Sequence, residues 1–423
     1  MKATFSYVVQ YQVEGICVTP LRTGCGEDVQ QVLRKKDGRL FVQGASLAGA
    51  LKDWMNVHAK NQTAALLGDE NGQGDMIVSD VLIDRKADTT LRPRLRIDGH
   101  TGTAADGAKF DMEHIEIGSK LSFTLTILQK EQSDIQENTA EQMLAAMDQG
   151  DIRLGGQKSN GFGHISLKVK KISLNMKNDD HRKAWVEDDL QGTPLELTKV
   201  LFGQRVHFTV KAYADRVLVK SGAPNYEGEH SYQGHLEEAG KSVIPGSSIK
   251  GAVLCRARAI ADSIGFTEET AKTLCDRAFG RINEEGDNGL PGQFYFEDAF
   301  LDKEKRQKIH RIRINKFTGG VLRQGLFTEE PLGGNIVLNI SGPVDQPDAC
   351  GLMLYALRDL GLGLYNIGSG GNIGWGYLKV REITVSSGEK TAALRFDGQG
   401  SCTTQDPDGL CREWLKELGG LKQ

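Results

Sequence analysis

QGASLAGAL (43–51) and PGSSIKGAV (245–253) are the same statement made about 200 residues apart. So are LGGQKSNGFG (154–163) and IGSGGNIGWG (367–376). Between them, IDGHTGTAADGAKFDME (97–113) answers INKFTGGVLRQGLFTEE (314–330), with Thr101, Gly102, Phe110 and Glu113 opposite Thr318, Gly319, Phe327 and Glu330. Three elements recur in one order, which is the mark of a duplicated domain rather than of two chance motifs.

Working outward, each copy opens on an alternating apolar stretch, FSYVVQYQV (5–13) and RVHFTVKAY (205–213), which reads as a strand. The serine of GAS or GSS precedes a helical period: Leu47, Ala50, Leu51, Trp54 and His58 share one face, as do Ile249, Ala252, Val253, Ala257 and Ile260. Strands follow at 76–83 and 294–301, then at 120–128 and 335–340. A second helix is expected from Thr139, where Thr139-x-x-Gln142 offers a capping box, to Gly150; its counterpart runs from Asp348 to Gly361. A glycine-rich loop and a closing strand (164–174; 377–385) complete each copy. Strand–helix–strand–strand–helix–strand is the ferredoxin-like, RRM-like order of an α+β fold. The expected organisation is a first domain over 1–174, a charged connector over 175–200, a second domain over 201–385, and a tail over 386–423 with a short helix near Leu410–Leu418.

The bulk numbers fit this plan. In 423 residues, 39% are hydrophobic and 26% charged, as in ordinary globular proteins. No run of 18 apolar residues is present, so no membrane span is expected. MKATFSYVVQ lacks a signal-peptide profile, which points to the cytoplasm. Seven scattered cysteines with no C-x-x-C spacing argue against a disulfide framework or a zinc ribbon. The net charge of −4 says little about partners, because binding follows local patches. One such patch spans 303–323, with Lys303, Lys305, Arg306, Lys308, Arg311, Arg313, Lys316 and Arg323 against Glu304 alone; RKADTTLRPRLR (85–96) stands at the matching place in the first copy. A single run of this kind is usually a solvated face, whereas two in register within a repeat point to a shared use.

The glycine loops are not nucleotide loops. No G-x-x-x-x-G-K-[ST] is present, and each loop leads into a strand, where a phosphate loop leads into a helix. Taken alone, such a loop is a tight turn that needs unusual φ angles. Repeated with the same companions, it also suits close approach of backbone N–H groups to a phosphodiester chain, with Lys158 adding charge.

The ordered set, a (Pro)-Gly-x-Ser-Leu/Ile-x-Gly helix start, an Ile-Asp/Asn-x-x-Thr-Gly segment ahead of a Phe and a Glu, and a G-F/W-G loop before the last strand, resembles the RAMP backbone subunits of type III CRISPR-Cas effector complexes. The resemblance covers both copies and is similar to the tandem fusions of subtype III-D. It implies two ferredoxin-like RAMP domains, each with a thumb β-hairpin, near 97–117 and 312–334, that wedges into the guide–target duplex. It further implies an antiviral ribonucleoprotein with CRISPR RNA, target RNA and other Cas backbone and large subunits as partners. The guide contacts so implied fall on Ser46, Lys52, His100, Gly156, Lys158 and Gly161 in the first copy. In the second they fall on Ser247, Ser248, Lys250, Arg311, Arg313, Lys316, Gly370, Gly371, Asn372 and Gly374.

Catalysis in the family is endonucleolytic cleavage of the paired target RNA. The RNA's own 2′-hydroxyl attacks, helped by a divalent metal (Mg2+ or Mn2+) and an aspartate in the loop before the first helix. Here that pattern lands on Asp28, which would also be the metal ligand, with Glu27 in reserve. The second copy departs. Counting back from Gly246 puts His230 opposite Asp28, and counting forward from Ser221-Gly222 puts Tyr226 there. Its loop, APNYEGEHSYQGHLEE, is four residues longer and offers Glu227, Glu229, His230 and His235 but no aspartate; either the second copy binds without cutting, which is the expectation, or another group substitutes, with Glu229 and His230 as the second-domain catalytic candidates. In the first copy Gln43 and Ala48 replace the usual proline and basic residue. Two other readings stand: a non-catalytic guide-coating subunit, and a stand-alone repeat-processing endoribonuclease relying on histidine, for which His230 and His235 are the candidates.

Overall fold

A computed structural model describes residues 5–24, 31–70, 72–97, 104–198, 205–228, 230–281 and 289–421. The chain divides into two compact units, Met1–Arg94 with Phe110–Gly203 and Leu95–Lys109 with Gln204–Gln423, and each holds an antiparallel sheet carrying helices. Among the described residues no helix is long and apolar enough to cross a membrane.

In the first unit the middle strand, Tyr7–Cys17, lies between Lys120–Gln129 and Ile165–Asn175. Met76–Val78 and Val81–Ile83 pair with the outer side of Lys120–Gln129, and Phe41–Val42 pairs with Val81–Ile83. Lys120–Gln129 and Ile165–Asn175 both run antiparallel to Tyr7–Cys17 and so parallel to each other, and the crossover through helix Asp134–Asp148 places the last strand beside the first. Period-2 alternation sends Val9, Tyr11 and Val13 into the core, where Leu47, Leu51 and Met55 of helix Gly44–His58 and Met143, Leu144 and Met147 of helix Asp134–Asp148 meet them. Each such fully buried side chain stabilises the fold by about 1.5–3 kcal/mol.

The second helix starts one turn and more before the expected Thr139. Ser133 is its N-cap, accepting from the Gln136 N–H, while the Thr139 hydroxyl donates to the Ile135 carbonyl inside the helix. The apparent capping box is thus interior sequence. The stretch 175–200, expected as a connector, carries helix Asp179–Glu187 and strand Thr193–Leu195. That strand pairs with Ile165–Asn175, and Trp185 covers Val8, Ile172 and Leu174 on the opposite sheet face.

The second unit repeats the arrangement. Arg205–Val217 lies between Leu332–Pro343 and Leu378–Ser387, and helices Gly246–Ser263 and Pro347–Gly361 contribute to its core. Residues 386–423 are more than a tail. Lys390–Phe396 and Cys402–Gln405 extend the sheet, and helix Leu410–Gly420 packs on Pro347–Gly361. The two helices come so close that a Cβ on Gly351 would stand 2.6 Å from the Trp414 carbonyl oxygen. A glycine is needed there for contact.

Neither first helix is capped by its serine. Gln43 and Pro245 are the N-cap residues and provide no side-chain cap. Instead Asp80 Oδ1 accepts from the Gly44 N–H at 2.9 Å, and Asp298 Oδ1 from the Gly246 N–H at 2.7 Å. Both aspartates come from the turn between two short strands, so each ties the start of a helix to the sheet. The Gly44 N–H, and then Lys35 at 3.1 Å, hold the Asp80 carboxyl below the usual range. Removing either carboxylate (Asp80→Ala or Asp298→Ala) should cost about 0.5–2 kcal/mol, as other caps do. Denaturant titration at neutral pH checks this. For Asp80 the difference from the parent should shrink as pH falls below the ordinary carboxylate pKa of 3.8, because the depressed folded value makes the contribution vanish on protonation.

Candidate nucleic-acid interface

Each half of the chain carries a two-stranded hairpin. The first is Thr89–Ile97 with Ala104–Ile115, and the second is Ile309–Ile314 with Val321–Glu329. Each starts earlier than expected, so Arg92, Arg94 and Arg311 are part of the rising strand rather than of an approach to it. The second hairpin ends well short of 334, because Leu332 already belongs to the sheet. The tip of the first hairpin, including His100, lies outside the described residues. At the second tip Asn315 Oδ1 accepts from the Phe317 and Thr318 N–H groups, and Gly319 takes a left-handed φ of 68°. This turn holds Phe317 99% exposed, with Ile312, Ile314, Val321, Leu322 and Leu326 exposed along the strands. Exposed apolar side chains at a hairpin end are what a wedge between stacked bases requires.

The glycine loops brace these hairpins, and they do so in the same way twice. In the first unit the Gly163 N–H donates to Pro20 O at 2.8 Å, Gly156 N–H to Arg22 O at 2.9 Å, and Leu154 N–H to Gly163 O at 2.9 Å. In the second, Gly376 donates to Arg216 O at 2.7 Å, Ser369 to Leu218 O at 2.7 Å, and Ile367 to Gly376 O at 2.9 Å. Gly155 and Gly368 have φ of 71° and 87°, and a Cβ on either would collide with the Arg22 or Leu218 carbonyl. The N–H groups of Gly156, Gly161 and Gly374 all donate inside the protein, and at Gly161 and Gly374 glycine supplies left-handed backbone, with φ of 82° and 81°.

The loop's aromatic then meets the hairpin's arginines. The Arg94 and Arg92 guanidinium carbons lie 5.7 and 5.3 Å from the Phe162 ring centre, and Arg311 lies 4.9 Å from Trp375 and 4.6 Å from Phe327. Arg92 is 1% exposed, unlike a residue of a solvated face. His114 is buried beside Phe162, and burial, with the Arg92 charge next, pushes its pKa down to about 3, so the ring is neutral. Arg311 is ion-paired with Glu329, which also holds Lys220 at 2.9 Å. Arg313, Lys316 and Arg323 are exposed.

Glu113 secures the loop before the first helix. Its carboxylate accepts from the Val32 N–H (2.9 Å), Arg34 and the Thr89 hydroxyl (2.8 Å), while its carbonyl accepts from Arg22 Nη1 at 2.7 Å. Thr23 Oγ1 accepts from the Leu33 N–H at 2.8 Å. Both stems of the loop and the base of the hairpin are thereby joined at one buried acid. Residues 25–30, with Glu27 and Asp28, lie outside the described residues, as does Glu229 in the second unit.

The second unit replaces this clamp. Gln233 donates from its backbone to Thr328 O at 2.9 Å and accepts from Glu330 N–H at 3.0 Å, while Glu330 faces Arg306 at 3.7 Å. The added residues form a small hairpin, Asn225–Glu227 with His230–Tyr232. His235 is buried: its Nδ1 accepts from the Val219 N–H at 3.2 Å, and its Nε2 lies 3.1 Å from Val243 O. Burial pushes its pKa down to about 4. With both nitrogens held by backbone, His235 supports the fold and is not placed for acid–base chemistry. His230 is exposed on the added hairpin.

Of the other expected contacts, Ser46 is exposed and Ser247, Ser248 and Lys250 are half-buried on the first turns of their helices, while Lys52 points elsewhere, donating to Gly68 O at 3.3 Å. Lys158 sits in the 3-10 turn Lys158–Asn160 of its glycine loop, and Gly371 and Asn372 in the matching turn Gly371–Ile373, which Gly370 precedes. Glu113, Phe162 and Trp375 carried a signal in the repeat but no assigned task. Arginine on Arg94 and on Arg311 at one register of the repeat was the further clue.

The Arg34 hydrogen bond, helped by those from Val32 and Thr89 and opposed by burial, lowers the Glu113 pKa to about 2. Glu113→Gln should destabilise the first unit by about 1–3 kcal/mol at neutral pH. A depressed folded pKa means that this stability is complete above the ordinary 4.5 and is lost as pH falls toward 2. Denaturant midpoints of parent and variant should therefore converge across that window; a gap that stays constant would remove the clamp.

The model of the RAMP superfamily matches residues 16–166 and 234–379. No curated protein matches the chain. The two matched regions together span well over half of the chain, and one falls on each hairpin-and-glycine-loop assembly. The chain belongs to the RAMP superfamily and matches it twice.

Proposed function

We propose that this protein is a CRISPR RNA-binding backbone subunit of a type III effector complex, built from two ferredoxin-like domains with thumb hairpins, and that its first half cleaves the guide-paired target RNA. RAMP membership implies a CRISPR RNA-binding Cas protein. What carries the finer reading is the duplication of one assembly, a glycine loop locked to the end of the first strand and stacked on a hairpin arginine. A protein that must accept any guide has to read backbone and geometry, and the exposed apolar tip of the second hairpin suits that task.

Cleavage is assigned to Asp28 on its place in the chain. Its loop emerges from stems held by Glu113 and Thr23 beside the base of the first hairpin, which supports an acid poised near the nucleotide that the hairpin displaces. The carboxylate would orient the target's 2′-hydroxyl for in-line attack on the adjacent phosphate, giving a cyclic phosphate and a free 5′-hydroxyl. Among the described residues no three His, Cys, Asp or Glu side chains come together to hold a metal ion. Asp28 is the residue that would hold a divalent ion, which would supply neutralisation of the charge developing at the phosphate.

Complexes assembled with Asp28→Ala should keep their guide and bind target RNA as before while losing cleavage by at least about 10²-fold. Gel analysis of labelled target under single-turnover conditions checks it, with Glu27→Ala as the neighbouring control. Undiminished cutting by Asp28→Ala would remove the enzyme assignment from this residue and leave the guide-coating role.

A further inference from the structure

The four residues that lengthen the second loop do not hang free. Asn225–Glu227 pairs with His230–Tyr232, with Tyr226 opposite Ser231. The hairpin is fastened at both ends. Gln233 Nε2 donates to Ser221 O at 2.9 Å, and the Gln233 backbone joins Thr328 and Glu330 at the base of the second thumb. A Cβ on Gly234 would collide with the Asn225 amide, so a glycine lets these parts close up. From the thumb side, Lys308 ion-pairs with Glu227 and places its Nζ 4.3 Å from the centre of the Tyr232 ring. The result is a built extension of the thumb base.

On it Tyr226 stands 70% exposed. A tyrosine held out on a braced strand with so little of its ring covered has given up burial that would stabilise the fold. An exposed ring suits a nucleobase, which stacks on aromatic faces whatever its sequence. The extension carrying it joins the base of a hairpin on which Arg313, Lys316 and Arg323 are exposed further along. In the repeat this loop occupies the place where the first half carries Asp28.

We propose that Tyr226 is a stacking site for one nucleobase of the RNA held along the second half, so that this half grips the strand at the step where the first half cuts it. This rests on the guide-bound reading above. The trade is intelligible in physical terms: the loop lacks the aspartate of the first half, and an aromatic platform at the same step slows release of the paired strand.

The test uses the protein purified with the subunits and guide that assemble on it, loaded with target RNAs carrying 4-thiouridine at successive positions. After irradiation, peptides covering 221–236 should crosslink to RNA at one position of the footprint, and Tyr226→Ala should lose that crosslink. The same variant should release target RNA about 5- to 100-fold faster, whereas Tyr226→Phe, which keeps the ring, should release it at the parent rate. Cleavage by the first half should persist in both, and unchanged denaturation midpoints would show that both remain folded. Crosslinks from the 309–329 hairpin with none from 221–236 would overturn the platform while leaving the guide-bound reading intact. Crosslinks of 221–236 to a protein subunit alone, or parent-like release by Tyr226→Ala, would also overturn it. If neither region meets RNA, both readings fall together.

Discussion

The rest of the interface depends on one backbone arrangement, the docking of each glycine loop against the end of its unit's first strand. Left-handed glycines let the loop run so close to Pro20–Arg22, or to Arg216–Leu218, that any side chain at Gly155 or Gly368 would strike a carbonyl. Once docked, the loop fixes Phe162 or Trp375, and that ring fixes the arginine of the hairpin. The same strand end also launches the loop that precedes the first helix. Three elements that would meet one RNA are in this way set by a few hydrogen bonds at the strand end, and both units form them between matching residues.

Around this shared frame the two units use their acids differently. In the first, Glu113 gathers Val32, Arg34 and Thr89. In the second, Glu329 has taken Arg311 and Lys220, Glu330 faces Arg306, and a longer loop is fastened through Gln233 instead. Equivalent carboxylates that hold different partners free the loops to diverge. The proposed division, cutting in one half and gripping in the other, would leave the frame untouched.

Much of the fold was legible in the sequence because its main signals are local. Alternation marked the strands, helical period marked the first helices, and the repeat of Thr-Gly, Phe and Glu marked the hairpins. What escaped depends on distant partners. Asp80 and Asp298 lie 36 and 52 residues from the helix starts they cap, so a reader looking beside the helix finds only the serines. Thr139-x-x-Gln142 has the letters of a capping box, yet the apolar face that decides the helix extends back to Asp134. The strands and helix after residue 386 were read as a tail because two short strands carry little periodicity; what holds them is packing on Pro347–Gly361. At the site, Glu113 and Glu330 were legible as a matched pair but not as clamps, since the tasks of a buried acid are set by what folds against it. The added hairpin at 225–232 was visible only as extra length.

The account's central claim, that this duplicated frame exists to hold a guide, is tested most directly by purifying the protein with whatever assembles on it and sequencing the RNA it carries. The account predicts a population of CRISPR RNAs that share one repeat-derived end and differ in the rest. Recovery of the intact assembly with no nucleic acid, or with RNA lacking any shared end, would contradict it.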